Sequence, residues 1–456
     1  MSRTQGAAKD TKQAVFISIG VIAVVLAAVF VFRVKGPRLP RSHTLAVQSK
    51  TPLEARPTAA DDASSANTIR FLLGRVKRDP DDFVVQSMLS SSLLQKVRET
   101  GNADYLGRAA RAAQASLLSV PAERNAGGLS ALARTEMAAH DFVKAREDGL
   151  RLTQIHPGMI NSWGVLTDAL LELGDYAKAD AAIQQMRKLG SDTAETEIRV
   201  GRLLFLQGDT AGAQKHFFRA LAFALNVSPP PREVVAWCRW QLGEMAFSSG
   251  GYESAERYYR EALVTYPGYV QALASLARVR AARADLAGAI QRYEEAVRRF
   301  PDPTFVAALG DLYHLTGREK EAQTQYELVE QIGHLNALNG TRYNRQIAVF
   351  YADHGRKADE AYNDAAREYA DRRDVYGADT LAWAAMKAGR VADAQKAIAA
   401  ALRLSTRDAK LFYHAGMIAR ASGNGLLSRD YLRRALALNP CFDPLQAIAA
   451  RKGLEN

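Results

Sequence analysis

The sequence predicts an all-α solenoid of stacked helical hairpins, preceded by a single transmembrane helix. Three observations predict it. Small residues recur at a fixed interval of 34, as from Ala179 to Ala213, Ala255 to Ala289 and Ala394 to Ser428. Glycines mark a turn at a constant place in each interval. An uncharged apolar run lies close to the N-terminus.

The N-terminal elements come first. Ala14 to Phe32 carries no charge and is dominated by Ile, Val, Leu and Phe. As a helix, those 19 residues extend roughly 28 Å, the hydrocarbon thickness of a bilayer. A cleaved signal would have a shorter apolar core and an A-x-A site, whereas Arg33 and Lys35 follow this one at once. Residues 14–32 are therefore expected to be an uncleaved membrane span behind a short tail, residues 1–13. By count alone, Arg3, Lys9 and Lys12 before the span, opposed by Asp10, and Arg33, Lys35, Arg38 and Arg41 after it slightly favour a cytoplasmic C-side. The short charged tail resists translocation, which favours an extracytoplasmic, periplasmic body. Residues 33–67, with Pro37, Pro40, Pro52 and Pro57 and no apolar periodicity, read as a flexible tether.

Net charge is +11, but residues 1–50 hold eight Lys or Arg against one Asp. The remainder holds 52 basic and 48 acidic residues, too balanced for a nucleic-acid-binding body. Cys238 and Cys441 form no CxxC and have no His cluster, so neither zinc nor another metal is expected. They lie about six units apart, and a solenoid packs neighbour on neighbour, so a disulfide between them is not expected either.

The repeat follows. A second ladder, Ala220, Ala262, Ala296, Ala401 and Ala435, moves with the first. Pro121, Pro157, Pro267, Pro301 and Pro440 mark unit ends, and Gly174, Gly208, Gly250, Gly317, Gly355, Gly389 and Gly423 mark turns. Small residues suit positions where helix axes cross closely. Glycine supplies the left-handed residue that ends a helix. Leu166, Tyr176, Tyr259 and Tyr293 are large enough to fill the seams. Leu242-Gly243, Gly250-Gly251-Tyr252, Ala255, Tyr259, Ala262 and Pro267 make up one unit, and Trp163, Leu166, Gly174-Asp175-Tyr176 and Ala179 begin another. In period and grammar this resembles the tetratricopeptide repeat. The resemblance implies a right-handed superhelix over about ten units in residues 68–441, with 442–456 as a closing helix. Insertions fall around Asn226–Arg232, which includes Pro229-Pro230-Pro231, and in segment 334–340.

No catalytic grammar is present: there is no G-x-G-x-x-G, G-x-x-x-x-G-K, H-E-x-x-H or G-x-S-x-G. The eight histidines are scattered, and no enzyme or cofactor is expected. Asn226-Val227-Ser228 and Asn339-Gly340-Thr341 are formal glycosylation sequons of a kind that arises by chance. The Lys and Asn pattern by which some co-chaperone members of the family clamp a C-terminal carboxylate is absent. The resemblance implies binding of a protein or peptide on a concave face lined by first helices. Placed there are Trp237 and Trp240, three residues apart on one helix face, with Arg199, Arg202, Arg278, Arg342, Arg345 and Trp383, joined by Tyr376, Tyr413 and His414. Aromatics and arginines are the types enriched at hot spots, although both also fill seams in such repeats. The expected function is a membrane-tethered scaffold or assembly adaptor. The alternatives are an extracytoplasmic ligand sensor of the same fold and, less favoured, an enzyme with cryptic chemistry.

Overall fold

The computed structural model describes residues 59–455 except 191, 192, 339, 340 and 342, with side chains from residue 65 onward. The expected membrane span 14–32, the tail before it and the tether up to residue 58 lie outside the described residues, as do Arg342 and most of the second sequon. Among the described residues there are 22 α-helices, two 3₁₀ turns and no strand. None of these helices is long and apolar enough to cross a membrane.

Helix α1 (Ala59–Arg78) opens the array. It begins inside the stretch expected to be tether, because the alanine-rich run from Ala59 favours helix. Ten hairpins follow: α2 (Phe83–Thr100) and α3 (Ala103–Ser119), α4 (Ala126–Ala138) and α5 (Phe142–Ile155), α6 (Ile160–Leu173) and α7 (Tyr176–Leu189), α8 (Ala194–Leu206) and α9 (Thr210–Leu225), α10 (Arg232–Ser248) and α11 (Tyr252–Thr265). The array continues through α12 (Val270–Ala282) and α13 (Leu286–Arg299), α14 (Pro303–Leu315) and α15 (Glu319–Leu338), α16 (Arg345–Asp353) and α17 (Ala358–Asp371), α18 (Val375–Lys387) and α19 (Val391–Ala401), and α20 (Ala409–Ala421) and α21 (Gly425–Leu438). It is closed by α22 (Gln446–Glu455). The inserted prolines 229–231 sit in the α9–α10 loop. The insertion expected at 334–340 is helical as far as Leu338, extending α15.

Local chemistry explains the hairpin. Asp141, Asp175, Asp209 and Asp285 accept the backbone N–H three residues on and so cap the second helices. All seven turn glycines of the ladder have φ between 62° and 80°. In the second and sixth hairpins His140 and Ala284 occupy the same left-handed conformation, at φ 61° and 62°. The alanines of both ladders are sealed: Ala179, Ala213, Ala255, Ala289, Ala220, Ala262 and Ala296 are all 0% exposed. Gly243 faces the Tyr259 ring and Gly201 the Phe217 ring, where a Cβ would collide, so first and second helices approach as closely as the small residues allow.

Successive first helices also touch one another along most of the array, from α2–α4 to α20–α22. They form the inner layer. The superhelix then closes on itself, which corrects the expectation that packing is between neighbours only. The turn of the third hairpin meets the end of the eighth: Arg373 N–H donates to Leu173 O at 3.0 Å and Val375 N–H to the Tyr176 hydroxyl at 2.9 Å. The fourth meets the ninth through Thr406 and Leu206 O. The fifth meets the tenth, where Asn439 Nδ2 donates to Phe247 O at 2.7 Å and the Tyr252 hydroxyl to Asn439 Oδ1 at 2.5 Å. One hydrophobic cluster draws on both turns, with Leu166, Tyr176 and Ile183 beside Val375, Ala394 and Ile418. At Gly174 a Cβ would fall on the Arg373 backbone, so this glycine answers to the neighbouring superhelical turn as well as to its own loop. Cys441 belongs to the loop docked on the hairpin that contains Cys238, and both thiols are free.

Candidate partner-binding face

The inner layer is the surface on which sequence placed the site. On α8, Arg199 donates through Nε to Gly164 O at 3.1 Å and through Nη1 to Glu195 O at 2.9 Å, and it pairs with Asp168. Arg202 pairs with Glu172 at 2.8 Å and Asp168 at 3.4 Å. On α12, Arg278 reaches Glu244 at 2.6 Å and lies 4.1 Å above the Phe247 ring. On α16, Arg345 joins Asp374 at 2.6 Å and Glu368 at 2.7 Å. Arg199, Arg202 and Arg278 are committed to acids of the preceding unit, and Arg345 to Glu368 of its own hairpin and Asp374 at the start of the next, an arrangement in which planar guanidinium donors satisfy half-buried or buried carboxylates. Their assignment as partner-binding residues of the concave face is therefore corrected: these four arginines are seam residues paired within the chain. The charge of Glu244 holds the Arg278 guanidinium even further above its usual range, against the opposing effect of burial.

Trp237 and Trp240 are both half-buried on α10. Trp237 packs edge-on against Phe217 at 5.8 Å. Trp240 packs edge-on against Tyr269 at 6.1 Å and donates from Nε1 to Ser275 Oγ at 3.0 Å. Each therefore bridges a seam while keeping part of its ring at the surface. Trp383 is different: it is 2% exposed, stacked on His414 at 4.2 Å and bonded from Nε1 to Asp353 Oδ1 at 2.8 Å. It is a core residue and cannot offer its ring to a partner, which corrects its assignment to the groove. Tyr413 and His414 are likewise buried, and Tyr376 is half-buried. The structure thus brings Trp237, Trp240 and Arg278 to one stretch of the inner layer. Arg199 and Arg202 fall two hairpins earlier than Arg278, and Arg345 two hairpins later.

The sequence reading missed the acids. Asp168 and Glu172 precede Arg199 and Arg202 by 31 and 30 residues, and Glu244 precedes Arg278 by 34. A carboxylate one repeat before each arginine was the available signal. It also missed a polar group around Asp353, in which Lys410, Trp383 and Gln446 all donate to one carboxylate. Among the described residues no group of His, Cys, Asp and Glu is placed to hold a metal ion.

These features define a helical-repeat protein whose inner helices form a largely self-paired surface. Residues 192–263 match the profile of one tetratricopeptide repeat, and residues 241–302, 275–333 and 380–440 match that of a second. The chain therefore carries tetratricopeptide repeats, a fold that typically serves protein–protein interaction without catalysis. No curated protein matches the sequence. Among solved structures it is similar to TTC0263, a thermophilic tetratricopeptide protein of Thermus thermophilus, at 19% identity over 42% of this chain and 97% of that one, with a TM-score of 0.36. It is similar to a tetratricopeptide protein of Parabacteroides merdae at 16% identity over 54% of this chain and 93% of that one, TM-score 0.38. The human IFIT1 dimer with PPP-AAAA aligns at 13% identity over 83% of this chain and 95% of that one, TM-score 0.43.

Proposed function

We propose that this chain is a membrane-tethered scaffold that holds a partner protein on the inner face of its superhelix. The observation that carries the reading is the stretch around α10, where Trp237 and Trp240 remain half-buried beside Phe217 and Tyr269 in matched tetratricopeptide repeats. Partly open aromatic rings on a rigid inner layer offer large contact area with little rotamer entropy to lose. Tethering rests on Ala14–Phe32, whose length and lack of charge suit a bilayer. The short charged tail before it favours a body outside the cytoplasm.

Crosslinking of the full chain in membranes, with identification of the attached protein, tests both parts. Trp240→Ala should weaken capture by roughly 2 kcal/mol while leaving helix content intact. The full chain should fractionate with membranes, and a chain lacking residues 1–53 should not. Loss of the fold on Trp240→Ala would make the ring a seam residue only, and a full chain recovered free of membranes would remove the tether.

A further inference from the structure

At the C-terminal end of the inner layer, acceptors outnumber donors. Asp353 is fully served: Oδ1 accepts from Trp383 Nε1 at 2.8 Å and Gln446 Nε2 at 2.7 Å, and Oδ2 from Lys410 Nζ at 2.9 Å. Asp443 is not. Its Oδ1 takes the backbone N–H of Leu445 at 2.9 Å and of Gln446 at 2.8 Å, while Oδ2 accepts nothing from the described residues. Asp443 is half-buried, and this oxygen is not among the sealed ones. Burial raises the Asp443 carboxyl, Lys410 works against that rise, and Asp353 and Asp311 add to it.

A second observation points the same way. Gln446 is 7% exposed and its Oε1 is sealed without a hydrogen-bond partner. The amide cannot turn to find one, because its NH₂ group must face the Asp353 carboxylate. The neighbouring His414, 2% exposed, gives its Nδ1 to Asp379 at 2.9 Å and leaves Nε2 without a partner. A buried acceptor without a donor is costly. The nearby cations are already engaged: Lys410 with Asp353, His354 with Asp311 at 2.7 Å, Lys387 over the Trp383 ring at 4.7 Å, and Arg278 with Glu244.

We propose that Asp443, with Asp311, Asp353 and the Gln446 carbonyl around it, receives one cationic side chain, an arginine or lysine, from a basic segment of the partner protein. The inference rests on the inner-face scaffold reading and gives that partner its chemistry. A guanidinium or ammonium group brings several donors and a positive charge to a site that lacks both. The cation docks on the open Asp443 Oδ2, next to the Gln446 side chain, which keeps its bond to Asp353.

The test is fluorescence anisotropy of the full chain with a fluorescein-labelled hexa-arginine peptide, and with hexaglutamate as counter-probe, at about 150 mM salt to screen diffuse attraction. Hexa-arginine should bind and hexaglutamate should not. Asp443→Asn keeps the oxygen that caps α22 but removes the charge, and should weaken binding about tenfold. Gln446→Lys supplies an ammonium group from within and should abolish binding. Glu253→Gln, on the exposed outer side of α11, should change nothing. Absence of hexa-arginine binding, or equal affinity for the wild type, Asp443→Asn and Gln446→Lys, overturns the proposal. A crosslinked partner captured equally well by all three overturns the cation pocket alone, whereas a chain that captures no partner overturns the scaffold reading beneath it.

Discussion

Replacing Arg372 with methionine tests whether the two superhelical turns behave as one body. Arg372 is buried between them. Its Nη2 meets Glu172 Oε2 at 2.6 Å, its Nε donates to Glu172 O at 3.2 Å, its Nη1 meets Glu368 Oε1 at 2.9 Å, and its guanidinium lies 4.4 Å above the Phe142 ring. Stripping one partner from a buried ion pair costs roughly 3–5 kcal/mol when the other charge is left alone. Here neither acid is left alone: Glu172 keeps Arg202 at 2.8 Å, and Glu368 keeps Arg345 at 2.7 Å. Methionine also preserves most of the packed stem. The expected loss is therefore smaller, about 2 kcal/mol. The informative readout is where the loss appears. Hydrogen exchange followed by mass spectrometry should show faster exchange both in α17 and, 200 residues earlier, in the turn between α6 and α7. Exchange that rises only in α17 and its sequence neighbours would refute the reasoning, because it would mean the turns do not share stability.

Two further outcomes follow from single residues. Ala284 holds φ 62° where most hairpins have glycine, so Ala284→Gly should stabilise the protein by about 1 kcal/mol in urea unfolding, despite the added chain entropy. Glu136, on α4, has its carboxyl pushed up to about 8 by burial first and then by the charges of Asp148 and Asp141. A group raised from an ordinary 4.5 contributes stability that is whole below that pH and is lost as pH rises through about 8. Stability should thus fall between about pH 4.5 and 8 in the wild type, level off above that, and stay flatter in Glu136→Gln, as measured by urea midpoints across that range.

The hairpin itself was legible in the sequence because its demands are local. A turn needs a left-handed residue, a close crossing needs alanine or glycine, and both show as residue types at fixed spacing. His140 and Ala284 break the glycine ladder without breaking the turn, since the strain at one residue is small beside the packing of a whole hairpin. The site was only partly legible. Arg199, Arg202 and Arg278 stand on the first helices as expected, but their commitment to Asp168, Glu172 and Glu244 depends on side-chain reach across a seam. Trp383 was misplaced because periodicity reports which helix a residue is on, whereas its burial comes from His414 and Asp353 on other helices. Contact between hairpins five apart was not legible at all. It is set by the accumulated small rotation from each unit to the next, and no residue type encodes that sum.

That contact has a consequence for how the chain comes into being. During synthesis the third hairpin, with Leu166, Tyr176 and Ile183, is complete long before Val375, Ala394 and Ile418 exist to cover it. The partners of the Glu172–Arg372 bond are 200 residues apart, a delay of roughly ten to forty seconds at ordinary translation rates. Over that interval the early half presents an oily flank with no owner. A chain cut short between the sixth and eighth hairpins would keep that flank bare for good, and would be sticky and readily degraded although every hairpin it contains is intact. The fate of the early half is thus decided by the far end of the chain, since completion of the last three hairpins is what covers the third to the fifth.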